Sequence, residues 1–171
     1  MKYCEMNIKM IGDTSNVRYV LRKEGQKILV VIGVNPSKAT DCISDTTMTK
    51  IMGFAKYNGF DGFLMLNLYP QRCTNPNDLD KEMNTEMHND NLKYIASEIS
   101  SIESPSVLLA FGNTIETRQY LKKCLREIIS LFTFKNPQWL QIGTLTKGGN
   151  PRHPSRAGYC TFSSLDINNY L

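Results

Sequence analysis

Closely spaced cysteines are missing from this sequence. Its five cysteines are an odd number with no C-x-x-C pair among them, at Cys4, Cys42, Cys73, Cys124 and Cys160. Neither a disulfide framework nor a zinc site is therefore predicted, and we expect no metal and no other cofactor. The simplest interpretation is a reduced, cytoplasmic protein.

Long apolar segments and a strong charge excess are also missing. No apolar run approaches the roughly 20 residues that cross a bilayer, so no membrane partner is expected. Residues 1–16 contain no continuous apolar core like that of a signal peptide. The formal net charge of +4 permits an anionic partner without requiring one. The oligomeric state is left open.

What the sequence does have is an alternation of apolar strands and amphipathic helices. The stretch "VRYVLRKEGQKILVVIGV" predicts two strands with a turn at Glu24-Gly25, and "GFLMLNLYP", "SVLLAFGN" and "WLQIG" predict three more. Between them, "DTTMTKIMGFAKYNGF", "EMHNDNLKYIASEISSI" and "TIETRQYLKKCLREIISLF" have helical spacing. The first helix has Asp45 as its N-cap and ends at Asn58-Gly59. Residues 28–32, 63–66 and 107–110 should form adjacent central parallel strands of one α/β domain that spans residues 1–171.

Polar side chains follow several of these strands. Asn35, Asn67, Asn113 and His153 stand where right-handed crossovers would bring the strand ends to one rim of the sheet. Taken singly, each asparagine is more often a turn residue than a ligand contact. Because ligands bind at the carboxyl ends of parallel strands, the convergence of these loops predicts a ligand site.

Four segments in order, "GVNPS", "GFLMLNLYPQR", "VLLAFGN" and "RHPSRAGY", resemble the signature segments of the uracil-DNA glycosylase superfamily. A closer resemblance, from about Val17 to Tyr159, is to an uncharacterised bacterial and phage family that has no established activity. The superfamily resemblance implies a three-layer α/β/α sandwich whose central, mainly parallel sheet has four strands. It also implies a DNA glycosylase, which extrudes a base from DNA and hydrolyses its N-glycosidic bond.

The same resemblance assigns roles to residues of the predicted rim. His153 would donate a hydrogen bond to the departing base, and Asn35 would orient the attacking water; these two are the expected catalytic residues. Asn67 offers both a donor and an acceptor to the edge of an extruded base. No stacking aromatic is evident in the expected place, so Tyr69 or Phe54 is the candidate.

Further residues are expected to bind DNA. Serine hydroxyls would hold phosphates and basic side chains would supply salt-sensitive attraction. The set is Ser37, Lys38, Arg72, Arg152, Ser155, Arg156 and Tyr159, with Lys147 as a further cation. Arg156 and Tyr159 are also candidates for the wedge that fills the space left by the base.

The sequence departs from the superfamily at Asn35, where its most active members carry a carboxylate. An amide cannot take up a proton, so Asp41 or Asp45 would have to act as the base, although loop solvation and helix capping explain both. Cys73 stands where some members place an iron–sulfur ligand, but the other cysteines complete no four-ligand set. A second hypothesis therefore remains: a non-catalytic module on the same fold that binds a nucleotide, nucleic acid or protein.

Overall fold

All described strands belong to one seven-stranded sheet. The structure is a computed structural model that describes residues 7–171; residues 1–6, with Cys4, lie outside the described residues. The strands are β1 (Ile8–Gly12), β2 (Arg18–Lys23), β3 (Ile28–Gly33), β4 (Gly62–Asn67), β5 (Ser106–Leu109), β6 (Gln138–Ile142) and β7 (Phe162–Ser164). The helices are α1 (Thr46–Tyr57), α2 (Thr85–Ile99), α3 (Tyr120–Ser130) and α4 (Ile167–Tyr170). Short 3-10 turns lie at Pro76–Asp78, Gly112–Thr117 and Pro154–Arg156.

Four parallel strands form the middle of the sheet. The strand order is β1-β2-β4-β3-β5-β6-β7, and the β4–β3, β3–β5 and β5–β6 pairs are parallel. The expected adjacency of the three central strands is thereby confirmed. The expected count of four strands is wrong, because β1 and β2 extend one edge with antiparallel pairing and β7 extends the other.

The sheet is covered by helices on both faces. Leu29 and Val31 of β3 face a core that contains Ile51 and Phe54 of α1. Their neighbours Val30 and Ile32 face a second core, with side chains of α2 and α3. Residues 29–32 are all fully buried, and this two-sided burial explains why β3 is apolar at every position.

Local signals set the bounds of α1 as the sequence predicts. The Asp45 carboxylate accepts the Met48 N–H, which satisfies one of the free donors of the first turn. The helix ends at Asn58, and Gly59 follows with φ +76°, a conformation that glycine adopts without a Cβ penalty. The aspartate therefore places the start of α1 directly after the loop that leaves β3.

One sequence expectation needs correction. The predicted helix after Gly112 is split into the 3-10 turn Gly112–Thr117 and α3. The two strands on either side of Glu24-Gly25 are present as β2 and β3, and β4 lies between them and pairs with both. Among the described residues, no helix is long and apolar enough to cross a membrane.

Candidate functional site

A pocket of about 630 Å³ lies at the carboxyl ends of the central parallel strands. Its wall is formed by the turn after β3, the start of α1, the turn after β5 and the loop that contains the 3-10 turn Pro154–Arg156. Binding sites for small ligands commonly enclose about 300–1,000 Å³. The pocket therefore has the volume of a ligand site and the location that the rim of polar side chains predicts.

Asn35 lines this pocket with its amide held in one orientation. Its Nδ2 donates to the backbone oxygen of Cys73 at 2.8 Å and to that of Pro36 at 3.0 Å. Because only the amide nitrogen can donate to two carbonyl oxygens, the contacts fix which atom is Oδ1. No hydrogen bond to Oδ1 comes from the described part of the chain. The side chain therefore presents an acceptor that a water or ligand can use.

His153 lines the same pocket as a neutral ring. Its Nδ1 accepts the backbone N–H of Ser155 at 3.3 Å and lies 2.8 Å from the Ser155 hydroxyl. An accepting Nδ1 carries no proton, so the ring proton is on Nε2. Burial lowers the pKa of His153, the nearby Arg156 adds to this effect, and Asp45 opposes it. The Nε2–H group is therefore a neutral donor.

A glycine lets the histidine loop approach the end of β5. Gly112 has φ +60°, and a Cβ at this position would lie 3.0 Å from the Cβ of His153. Its N–H donates to the carbonyl oxygen of Pro151 at 2.9 Å. The segments "AFGN" and "NPRHPS" therefore interlock through the backbone, and a side chain at position 112 would displace the histidine.

Asn113 also lies at the rim, but its oxygen has a structural partner. Oδ1 accepts from the Thr146 hydroxyl at 2.6 Å and lies 3.2 Å from Nδ2 of Asn150. The amide thus fastens the turn after β5 to the loop before His153. These contacts agree with Asn113 as a structural turn residue.

Asn67 is placed behind the pocket wall. It is 0 % exposed, and its Oδ1 would lie 3.0 Å from a Cβ at Gly33, which lines the pocket. Neither polar atom of its side chain has a hydrogen-bond partner. A buried amide without partners costs stability, and such a group in a native fold calls for an explanation. Its backbone oxygen, by contrast, accepts Nδ2 of Asn91 at 3.0 Å.

The two aromatic candidates lie in the cores of the protein, outside the pocket lining. Tyr69 is fully buried on the face covered by α2 and α3, with its ring 5.1 Å from that of Tyr120 and its hydroxyl accepting the Asn84 N–H. Phe54 is fully buried on the α1 face. Neither ring has an exposed face on which a base can stack.

The residues expected to bind phosphate do not all line the pocket. Ser37, Arg152, Ser155 and Arg156 line the pocket. Lys38 is exposed outside the lining.

The Arg72 guanidinium donates hydrogen bonds to backbone carbonyl oxygens and does not line the pocket. Its Nη1 donates to the carbonyl oxygens of Ser37 and Ala39, and its Nε donates to that of Asp13. These contacts hold the loop after β3 in place, so the Arg72 guanidinium is a support of the site.

Tyr159 lies on the surface of α1. Its ring is 4.9 Å from that of Phe54 in an edge-on arrangement, and the residue is 48 % exposed. A side chain packed in this way does not extend from the loop as a wedge. Arg156 is the wedge candidate that lines the pocket.

Sequence reasoning missed two contributors to the pocket and underrated a third. Arg18 is 2 % exposed, lines the pocket and donates to the Ala39 carbonyl oxygen. Cys73 lines it beside Asn35, and burial raises the pKa of its thiol. Asp45 lines it while its two oxygens accept the N–H groups of Met48 and Ala39. Arg18 opens a strand of ordinary alternation and gives no sequence signal, whereas the N-cap pattern of Asp45 does.

Comparison with known proteins places the chain in a family. A model of the family described as Protein of unknown function (DUF1643) matches residues 18–155, and the chain belongs to this family. The match runs from Arg18 to Ser155 and so includes most of the pocket lining. It confirms the expected membership of an uncharacterised family. Searches of curated proteins and of solved structures found no significant match.

Proposed function

We propose that this protein recognises an extruded nucleobase of DNA, including damaged or modified bases, and hydrolyses its N-glycosidic bond. The observation that carries the proposal is the pairing of Asn35 and His153 in one pocket. They come from loops far apart in the sequence, and each is held so that one polar atom is available, an acceptor on Asn35 and a donor on His153. The four parallel strands between helices also agree with the layout that a uracil-DNA glycosylase-like fold implies.

The geometry suits departure of a base as an anion. N-glycosidic cleavage builds positive charge on the sugar and negative charge on the leaving base. The Nε2–H of His153 donates to the base oxygen on which that charge develops, and the neutral ring does so without transferring its proton. Arg152 and Arg156 add positive potential at the same wall. The residues thus stabilise the leaving group more than they activate the nucleophile.

Asn67 has the chemistry to read the base edge. Its amide carries a donor and an acceptor, both without a protein partner, directly behind Gly33. A base that enters far enough to contact Gly33 meets this amide after a small shift of the wall. The cost of a partnerless buried amide is then offset by hydrogen bonds to the ligand.

One observation favours a second candidate, a non-catalytic module that binds a nucleotide, nucleic acid or protein. Among the described residues that line the pocket, Asp45 is the only acid, and both of its oxygens accept backbone N–H groups. The pocket therefore offers no unengaged carboxylate as a general base. A protein that binds a base without cleaving it would need none.

The experiment is a screen for abasic sites. Oligonucleotides that each carry one uracil, one mismatch or one modified base, of the kinds found in phage DNA, are incubated with the protein and then cleaved with alkali. The wild type should produce abasic strands from at least one substrate. His153→Ala should slow this by roughly 100-fold or more, the cost of losing one oxyanion donor, with DNA affinity kept within a few-fold.

The outcomes separate the two candidates. Base-dependent binding without any abasic product would contradict the glycosylase and support the binding module. Turnover that survives His153→Ala unchanged would remove the assigned role of the histidine.

A further inference from the structure

We propose that the exposed side of α1 binds an unpaired nucleic-acid strand next to the pocket. The inference rests on the proposed function in one respect, the expectation that nucleic acid is the partner. This surface consists of Lys50, Lys56, Tyr57 and Tyr159.

Two aromatic rings lie side by side on this surface. Tyr57 is 60 % exposed and Tyr159 is 48 % exposed. Their ring planes are 17° from parallel, with centroids 6.4 Å apart. Exposed rings that share one orientation offer flat faces to a planar partner, and every nucleic-acid base has such a face.

The ring of Tyr159 is held in place from below. A Cβ at Gly53 would overlap its hydroxyl and ring carbons, so the absence of a side chain in mid-helix makes room for it. Asn58 fixes the following segment, because its Nδ2 donates to the Cys160 carbonyl oxygen at 3.1 Å and its Oδ1 accepts the Phe162 N–H at 2.9 Å. The ring is therefore rigid before any partner arrives, which lowers the entropic cost of binding.

Positive charge accompanies the rings. The ammonium group of Lys50 lies 4.7 Å from the centroid of Tyr159 and donates to the Ala157 carbonyl oxygen, and Lys56 is exposed. Residues 46–60, which contain α1, and residues 157–162, which pack against it, contain no Asp or Glu. Arg156, which precedes the second segment, adds a cation at the edge of the pocket.

This combination of features selects one occupant. Positive charge without acidic residues attracts a phosphate backbone, and exposed aromatic faces stack on bases that are not paired. The surface continues into the pocket, since Arg156 and Ala157 line the pocket and Ala157 is bonded to Lys50. An unpaired strand beside an extruded base has both of the required chemical features.

The test measures binding to a short single strand that carries only thymine bases. Fluorescence anisotropy with oligothymidine of about a dozen nucleotides, within the usual site size of small strand-binding domains, gives the affinity. Tyr57→Ala should weaken binding about fivefold or more, the lower end of the effect of losing one base stack, while Tyr57→Phe keeps the ring and the affinity. Lys56→Gln should make the salt dependence shallower by about 0.7 in log–log slope.

The matched control is Phe134→Ala, at an aromatic side chain that is 99 % exposed outside this surface. Equal effects of Tyr57→Ala and Phe134→Ala would overturn the proposal, as would undetectable binding by the wild type. Equal affinity for poly-glutamate would assign the surface to acidic protein segments and also overturn it. Oligouridine of the same length, measured in parallel, tells whether DNA or RNA is preferred.

This proposal and the proposed function fail separately. Strand binding that persists when the abasic-site screen fails would leave this surface standing and remove the glycosylase. Turnover on DNA with no effect of Tyr57→Ala on strand affinity would support the glycosylase and overturn the strand-binding surface.

Discussion

Replacing Asn67 by Leu should leave the free protein as stable as the wild type or slightly more stable. Leu has the same branching at Cγ and buries apolar atoms where the amide now has no protein partner. The matched control is Asn91→Leu. Asn91 is also 0 % exposed and also has a partnerless Oδ1, but its Nδ2 donates to the backbone oxygen of Asn67 at 3.0 Å.

The structure sets the size of the expected difference. Asn91→Leu removes that hydrogen bond and leaves a buried carbonyl oxygen unpaired, at a cost of about 1–3 kcal/mol. Asn67→Leu breaks no protein hydrogen bond, and added apolar burial contributes up to about 1 kcal/mol of stability. Both variants gain similar apolar burial, so they should differ by about 1–3 kcal/mol, the cost of the lost hydrogen bond. For a chain of this length, that corresponds to roughly 2–12 °C in melting temperature.

Thermal unfolding followed by circular dichroism, with urea titration as a second measure, checks this expectation. Asn67→Leu should also abolish base-dependent DNA binding, because the proposed donor and acceptor are gone. A melting temperature that falls equally in both variants would show that the Asn67 amide supports the fold, and its role as a ligand group would lose its basis.

Two further predictions concern the pocket wall. In the wild type, burial keeps the pKa of His153 below its ordinary value of about 6.5, so protonation opposes folding. The stability due to the neutral ring is complete above that pH and is lost as the pH falls below it. Urea unfolding at pH 7 and pH 5 should therefore show a smaller loss of stability on acidification for His153→Gln than for the wild type, and an equal loss would contradict the assigned protonation state. In Asn35→Asp, a carboxylate oxygen would face the carbonyl oxygens of Cys73 and Pro36, so the variant should be about 1–3 kcal/mol less stable than the wild type at pH 7. This difference in stability should shrink as the pH falls and the acid takes up a proton. Equal stability at pH 7 in thermal unfolding would show that the amide contacts are dispensable.

The central sheet could be predicted because its signals are local. An apolar run buried on both faces indicates a central parallel strand, and 28–32, 63–66 and 107–110 are such runs. The outer strands lack that signal. β7 has only three residues, too few to show a periodic pattern. β2 pairs with β4, which lies far along the chain, and no periodic pattern in the sequence indicates that pairing.

The site could be predicted only where a residue lies beyond its strand. Asn35 follows the end of β3 and reaches the pocket, whereas Asn67 is still paired with Gly33 inside the parallel ladder and is covered. A difference of two residues in register thus separates a pocket contact from a buried amide. The strand pairing that fixes this register is a property of the assembled sheet, so the sequence alone predicts the same rim for both asparagines.

Under the proposed function, the contacts of Asn35 bear on which bases would be released. Its Nδ2 is held by the Cys73 carbonyl oxygen, so its Oδ1 can accept a hydrogen bond from water but cannot remove a proton. The Asp45 carboxylate is engaged by two backbone N–H groups. Without an activated nucleophile, the proposed reaction would depend mainly on stabilising the departing base as an anion, the role proposed for the Nε2–H of His153 and the nearby arginines. In the abasic-site screen, turnover should therefore favour bases that leave as stable anions, such as those with electron-withdrawing substituents, and an unsubstituted cytosine or adenine should be released slowly if at all.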